Sequence, residues 1–213
     1  MENSEQVFAG RLAVMARMQA EHNDEVHPDW RNQGFEYYRA VWVECAELLD
    51  HFGWKWWKQQ VTDFEQVKLE IVDIWHFGLS DLIRDDLVGA ELAREMVMRA
   101  DKNGDGDFRH TVEALASHAL VHPKFDVATF VDVLNALPMS LDELFEKYVG
   151  KNVLNRFRQA HGYKEGRYEK VWHGREDNEH LSELLGELNP VSDSFEEELL
   201  EALERRYPDT SSS

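Results

Sequence analysis

Two pairs of acids sit inside runs that otherwise look like buried helix. Glu44 and Glu47 lie in VECAELLD (43–50), among Trp42, Val43, Cys45, Ala46, Leu48 and Leu49. Glu70 and Asp73 lie in VKLEIVDIWHFGL (67–79), among Val67, Leu69, Ile71, Val72, Ile74, Trp75 and Phe77. On a helix, an i, i+3 spacing puts both carboxylates on one face, with Cβ atoms about 5–6 Å apart. A helix apolar on nearly every side is a buried one. An ionised carboxylate removed from water needs cations, hydrogen bonds or a raised pKa. Lys68 is the one base these helices offer nearby. A divalent metal balances four carboxylates directly, and all-oxygen ligation suits Mg²⁺ or Mn²⁺ rather than zinc. Such cations serve phosphate chemistry by polarising phosphoryl oxygens and activating water. The competing reading leaves one or two of the acids at a bundle edge, paired with bases or facing solvent. Spacing alone does not decide, because Glu198, Glu201 and Glu204 form a similar ladder in a polar helix, where a solvated face explains it.

The elements that must position these acids are helical. Apolar residues recur every three or four positions and strand alternation is scarce. The pattern predicts a first helix over 4–22 through Val7, Phe8, Leu12, Met15 and Met18, a loop over 27–34, and a helix over 35–52. GWKWWKQQ (53–60) breaks the pattern, and Thr62 with Glu65 reads as a capping box opening a helix to about Leu82. Further helices are predicted over 86–100, 109–119 and 126–135, and one capped by Ser140 with Glu143 runs to about His161. Residues 161–177 read as loop, SFEEELLEALERRY (194–207) as a terminal helix, and 207–213 as a tail. No repeat or linker divides the chain. The expectation is an all-α, bundle-like single domain over 1–213, with 85–140 as an insert or mobile helical segment.

Composition narrows the function classes. The chain has 213 residues, 42 acidic against 23 basic, for a formal net charge of −19. That balance argues against tight non-specific nucleic-acid binding, which rests on neutralising phosphates. It is explained by a solvated acidic surface or by acids that hold metal. The single Cys45 rules out an intrachain disulfide and suits a reducing compartment. The N-terminal segment has no signal-peptide apolar block and no stretch reaches membrane-span length, so the expectation is a soluble, cytoplasmic protein without membrane partners. Seven Trp suggest site walls or interface anchors.

ECAE at 44–47 and EIVD at 70–73, with 22 residues between them, resemble the E-x-x-E…E-x-x-D signature of the all-α nucleoside triphosphate pyrophosphohydrolases. That group includes the dimeric dUTPases and the MazG-like enzymes. ECAELLDHFGWKWWK (44–58) resembles the first motif of the dimeric dUTPase branch, with its Trp-Lys loop, and EIVDIWHF (70–77) resembles its second. YVGKNVLNRFRQAHGYKEGRYEKVW (148–172) resembles that branch's C-terminal nucleotide-binding segment. The resemblance implies an all-α homodimer that hydrolyses dUTP and dUDP to dUMP with two or more Mg²⁺, Mn²⁺ being a substitute. Carried over, Glu44, Glu47, Glu70 and Asp73 are metal ligands, and Glu47 also positions or deprotonates the attacking water. Gln19 and Asn23 fall where the family reads uracil. Trp57, Lys58, His76 and Phe77 flank the base and phosphates. Cys45 is a packed residue rather than a nucleophile.

The third block also makes sense unaided. Tyr148, Lys151, Asn155 and Arg158 recur at +3, +4 and +3 and line one helical stripe, with Asn152 beside it. Arg grips phosphate oxygens in forked geometry and Lys acts as a point charge. Lys164 and Tyr168 follow on a loop able to close over a nucleotide. The competing reading is a solvated basic face. Two functional alternatives stand beside dUTP hydrolysis. One is the same reaction on another base, as in MazG-like or dCTP-processing relatives, with the change showing at Gln19 and His76. The other is a non-catalytic helical dimer that binds nucleotide.

Two motifs read as decoys. DKNGDGDFRHTVE (101–113) resembles a calcium loop at Asp101, Asn103, Asp105 and Gly106, but its twelfth position is Val112 and Glu113 comes one residue late, so a polar turn is expected. His110, His118, His122, His161, His173 and His180 are scattered without convincing zinc-ligand spacing.

Overall fold

The helical periodicity is realised along almost the whole chain. A computed structural model describes residues 2–100, 106–188 and 194–208, and among them forms nine α-helices. The fold is all-α, and strand structure among the described residues amounts to one small hairpin. The chain packs as two compact units, residues 1–145 and 146–213. No described helix is long and apolar enough to cross a membrane.

In the first unit, α1 (Glu2–Val26) runs past its predicted end at 22 and stops at His27-Pro28, where the residue before proline is pushed out of the helical region. A 3-10 turn (Trp30–Asn32) buries Trp30, whose Nε1–H donates to Asp24 Oδ1 at 2.9 Å. α2 (Tyr37–Phe52) carries the first acid pair and ends at Gly53, whose φ of 93° favours glycine. α3 (Phe64–Arg84) carries the second pair and is buried on nearly every side. The predicted Thr62/Glu65 capping box is not what opens it. The N-cap is Asp63, which accepts from the Gln66 N–H at 3.2 Å, while the Thr62 hydroxyl donates to the Phe52 carbonyl at 2.7 Å. Asp is as good an N-cap as Thr, and the register moves by one residue.

The segment whose role the sequence left open forms three helices. These are α4 (Ala90–Ala100), α5 (Phe108–Val121) and α6 (Val127–Ala136). α2 lies along α3 and α5, α1 along α3 and α4, and α6 against α4 and α5. Arg109 of α5 reaches back to α2: its Nε and Nη2 both donate to the Gly53 carbonyl, at 3.0 and 2.8 Å, and its guanidinium lies over Phe52. Gly78 lets α3 come close to Phe125, since a Cβ there would fall 2.5 Å from that ring. Asp101, Asn103 and Asp105 of the calcium-like loop lie outside the described residues. Beyond them Asp107 caps α5, Val112 is buried and Glu113 is exposed, so the twelfth position carries no carboxylate.

α7 (Leu141–Ala160) starts in the first unit, where Ser140 Oγ accepts from the Glu143 N–H at 3.1 Å, the cap its sequence predicts. The rest of α7 belongs to the second unit. There it meets the hairpin β1 (Val171–Trp172) and β2 (Arg175–Glu176), α8 (Asp177–Glu187) and α9 (Phe195–Arg206). Phe157, Trp172 and Tyr207 form its aromatic centre, with ring centroids 5.1–5.6 Å apart. Part of the stretch read as loop is therefore hairpin, and α8 was not anticipated. Its N-cap is Glu176, which forms a capping box with Glu179. Glu is an uncommon cap, so no start signal marks the helix in the sequence.

Candidate active site

α2 and α3 bring three of the four predicted ligands together. Oxygens of Glu44, Glu47 and Glu70 all lie within 4.8 Å of one another, and they are the one such group of three or more acid, His or Cys side chains among the described residues. Glu70 is buried, Glu44 half-buried and Glu47 exposed. Asp73 is half-buried and stands outside that trio, yet near enough that its charge acts on Glu44. Burial, then repulsion from Asp73 and Glu70, a hydrogen bond with Glu70 and repulsion from Glu47 push the Glu44 carboxyl up to about 9. The cluster thus carries more negative charge than it can hold bare, which is the condition a divalent cation relieves. Burial also pushes the Cys45 thiol up to about 12, consistent with a packed, inert residue.

Beside Glu47 opens a cavity of about 830 Å³, walled by Trp42, Leu49, His51 and Trp54. Its rim is the Trp-Lys loop, which is tied down by polar bonds. Gln60 Oε1 accepts from the N–H groups of Trp54 and Lys55 at 3.0 and 2.7 Å, and the Trp54 indole donates to Asp50 at 2.7 Å. Trp57 and Lys58 are exposed, and the Trp57 ring meets the edges of Trp54 and Trp56 at 5.2 and 5.5 Å. Of the residues expected at the base and phosphates, it is Trp54 that lines this cavity.

Gln19, Asn23 and His76 also come together, joined by Ser80, in a buried chain between α1 and α3. Gln19 Oε1 meets His76 Nδ1 at 2.7 Å, Gln19 Nε2 donates to Asn23 Oδ1 at 3.0 Å, and Asn23 Nδ2 donates to Ser80 Oγ at 3.0 Å. The Ser80 hydroxyl donates to the His76 carbonyl at 2.9 Å. Each group fixes the orientation of the next, so the amides are set before any ligand arrives. Phe77, the next residue on α3, is turned about 100° from His76 and is half-buried.

A family model described as dUTPase matches residues 11–163. The chain belongs to the dUTPase family. No curated protein gives a significant match. The dUTPase match takes in both acid motifs, the Trp-Lys loop, Gln19, Asn23 and all of α4–α6, and ends before Lys164 and Tyr168.

In the second unit the stripe on α7 is not a solvated face. Tyr148, Lys151 and Asn152 are buried, and Asn155 is half-buried. Arg158 makes a forked pair with the fully buried Asp177, Nε and Nη2 each donating at 2.8 Å, and also reaches Asn155 at 3.0 Å. The Tyr168 hydroxyl donates to the same carboxylate at 2.8 Å, and Lys151 Nζ donates to Asn178 Oδ1 at 3.0 Å. Arg158 and Tyr168 hold the Asp177 carboxyl below its ordinary range despite burial. Lys164 is exposed. Sequence reasoning missed Asp177 and Asn178 because they open the helix it did not foresee. It also missed His51, although that residue follows Glu47 at i+4, a spacing that shares a face. Among the scattered histidines, His118 and His122 do meet, with ring centroids 5.0 Å apart. His180 stacks on Trp172 and His161 on Phe157.

Proposed function

We propose that the chain is a Mg²⁺-dependent dUTP pyrophosphohydrolase that converts dUTP and dUDP to dUMP. The observation that carries the reading is the trio Glu44, Glu47 and Glu70, too charged to stay fully ionised without a cation and set beside an open cavity. Glu44, Glu47, Glu70 and Asp73 would hold the metal, which when bound neutralises phosphate charge and makes water a better nucleophile. Glu47, exposed at the cavity, orients the attacking water and takes its proton. Attack at a phosphorus breaks a P–O–P bridge, giving dUMP with pyrophosphate from dUTP or phosphate from dUDP.

The chain of Gln19, Asn23, His76 and Ser80 supports uracil as the base. A pocket built to pair with uracil rejects cytosine, whose amino group would face a donor, and excludes the thymine methyl by shape. Trp57, Lys58 and Phe77 would flank the nucleotide. Lys151, Asn152, Asn155, Arg158, Lys164 and Tyr168 are proposed substrate contacts on the chemistry of forked and point-charge phosphate binding. A homodimer follows from the family resemblance alone.

The deciding experiment incubates the protein with dUTP, dUDP, dCTP, dTTP, dATP and UTP, with Mg²⁺ and with EDTA, and resolves the products by chromatography. Selective, EDTA-sensitive formation of dUMP is expected. Cleavage of other bases at equal rate would refute the uracil assignment while leaving the acids a phosphate-hydrolysing centre. No cleavage by folded protein would favour a nucleotide-binding module.

A further inference from the structure

We propose that His51 is a nitrogen ligand of the cation held by Glu44, Glu47 and Glu70, and that the centre therefore takes Mn²⁺ in preference to Mg²⁺. This rests on the metal reading above and goes past the four carboxylates that the family resemblance supplies.

Glu44, Glu47 and His51 stand at i, i+3 and i+7 on α2, so one stripe of the helix carries all three toward α3. His51 Nε2 lies 3.6 Å from Glu70 Oε1, and Glu70 belongs to the trio. That distance is too long for a hydrogen bond, which needs about 2.7–3.2 Å. It suits two donors of one ion, since bonds of about 2.1–2.2 Å at near-octahedral angles separate neighbouring donors by about 3–3.5 Å. His51 also walls the cavity beside Glu47, and its side chain is 42% exposed against 7% for Glu70. The imidazole is therefore free to turn the few tenths of an ångström that ligation needs, while the buried carboxylate stays fixed. Carboxylates alone would suit Mg²⁺, a hard cation that dehydrates reluctantly. One imidazole in the set shifts preference to a transition metal, and Mn²⁺ tolerates mixed oxygen and nitrogen donors.

The test uses the full chain stripped with EDTA and titrated with Mn²⁺ alone, free Mn²⁺ being followed by electron paramagnetic resonance, with Mg²⁺ as competitor. Pulsed spectra of bound Mn²⁺ are expected to show a directly coupled nitrogen. Labelling the histidines with ¹⁵N should convert that coupling, a readout that needs no variant. His51→Gln should abolish it and weaken Mn²⁺ binding about tenfold, with Mg²⁺ affinity changed far less. Bound Mn²⁺ without a nitrogen coupling, or with one that survives His51→Gln, would overturn the proposal while leaving the carboxylate centre standing. No Mn²⁺ binding at all would overturn both, and dUTP turnover in Mg²⁺, assayed separately, tells the two failures apart.

Discussion

Glu47 and Glu44 sit three residues apart and meet different fates. Glu47 is exposed at the cavity and free to take a proton from water, whereas Glu44 is pushed to about 9 by burial and its acidic neighbours. Glu47→Gln should therefore cut turnover by about 10²–10⁴-fold while leaving the melting temperature unchanged, checked by steady-state kinetics beside circular dichroism. A near-normal rate would remove Glu47 from the chemistry. Asp177 is a structural counterpart, fully buried and gripped by Arg158 and Tyr168. Asp177→Ala strands a buried guanidinium and should cost about 3 kcal/mol in urea unfolding. These residues differ in how legible they were. Carboxylates inside an apolar run contradict their surroundings, so the four acids stood out from sequence alone. His51 did not, because a histidine in the last turn of a helix already has an explanation in the helix dipole. Asp177 was hidden by the unmarked start of its helix.

Periodicity revealed most of the helices, since a stripe of apolar residues leaves its trace wherever one face is buried. It failed where the local signals were ambiguous. Thr62 and Asp63 are both able caps, and only the fold shows that Thr62 is spent on the Phe52 carbonyl. Which helices pack together was not legible at all, because contacts between α2 and α5 or between α1 and α4 join distant positions. The close approach of α3 to Phe125 is one such contact. Gly78→Ala should cost about 1–3 kcal/mol, the usual range for overpacking, measured by denaturant unfolding. An unchanged midpoint would mean the ring moves aside freely. Arg109 gives a second test of the same kind. Arg109→Ala removes both donors to Gly53 and should change the tryptophan emission of the nearby loop while raising KM more than it lowers kcat.

The acid cluster leaves a mark on the stability of the whole molecule. Glu44 has a pKa of about 9 in the folded chain against 4.5 in the ordinary case, so the folded state holds the extra proton between those values. The metal-free protein should accordingly lose stability as pH rises from about 4.5 to 9. Mg²⁺ should flatten that slope, because it binds the folded state alone and displaces the proton. Thermal melts at pH 5, 7 and 9, with EDTA and with Mg²⁺, check this. Glu44→Gln separates the local effect from the general repulsion of a chain with a net charge of −19, and should raise the metal-free melting temperature at pH 9 by about 2–4 °C. The grip of Arg109 on Gly53 also bears on how the molecule is made. A nascent chain that has emerged only as far as residue 85 already carries all four acids, but not the guanidinium, 56 positions downstream of Gly53, that fixes the exit from α2. The acids are synthesised early and the rim of their cavity is secured late, so a ribosome that stalls between α3 and α5 releases a ligand set with nothing to hold its doorway in place.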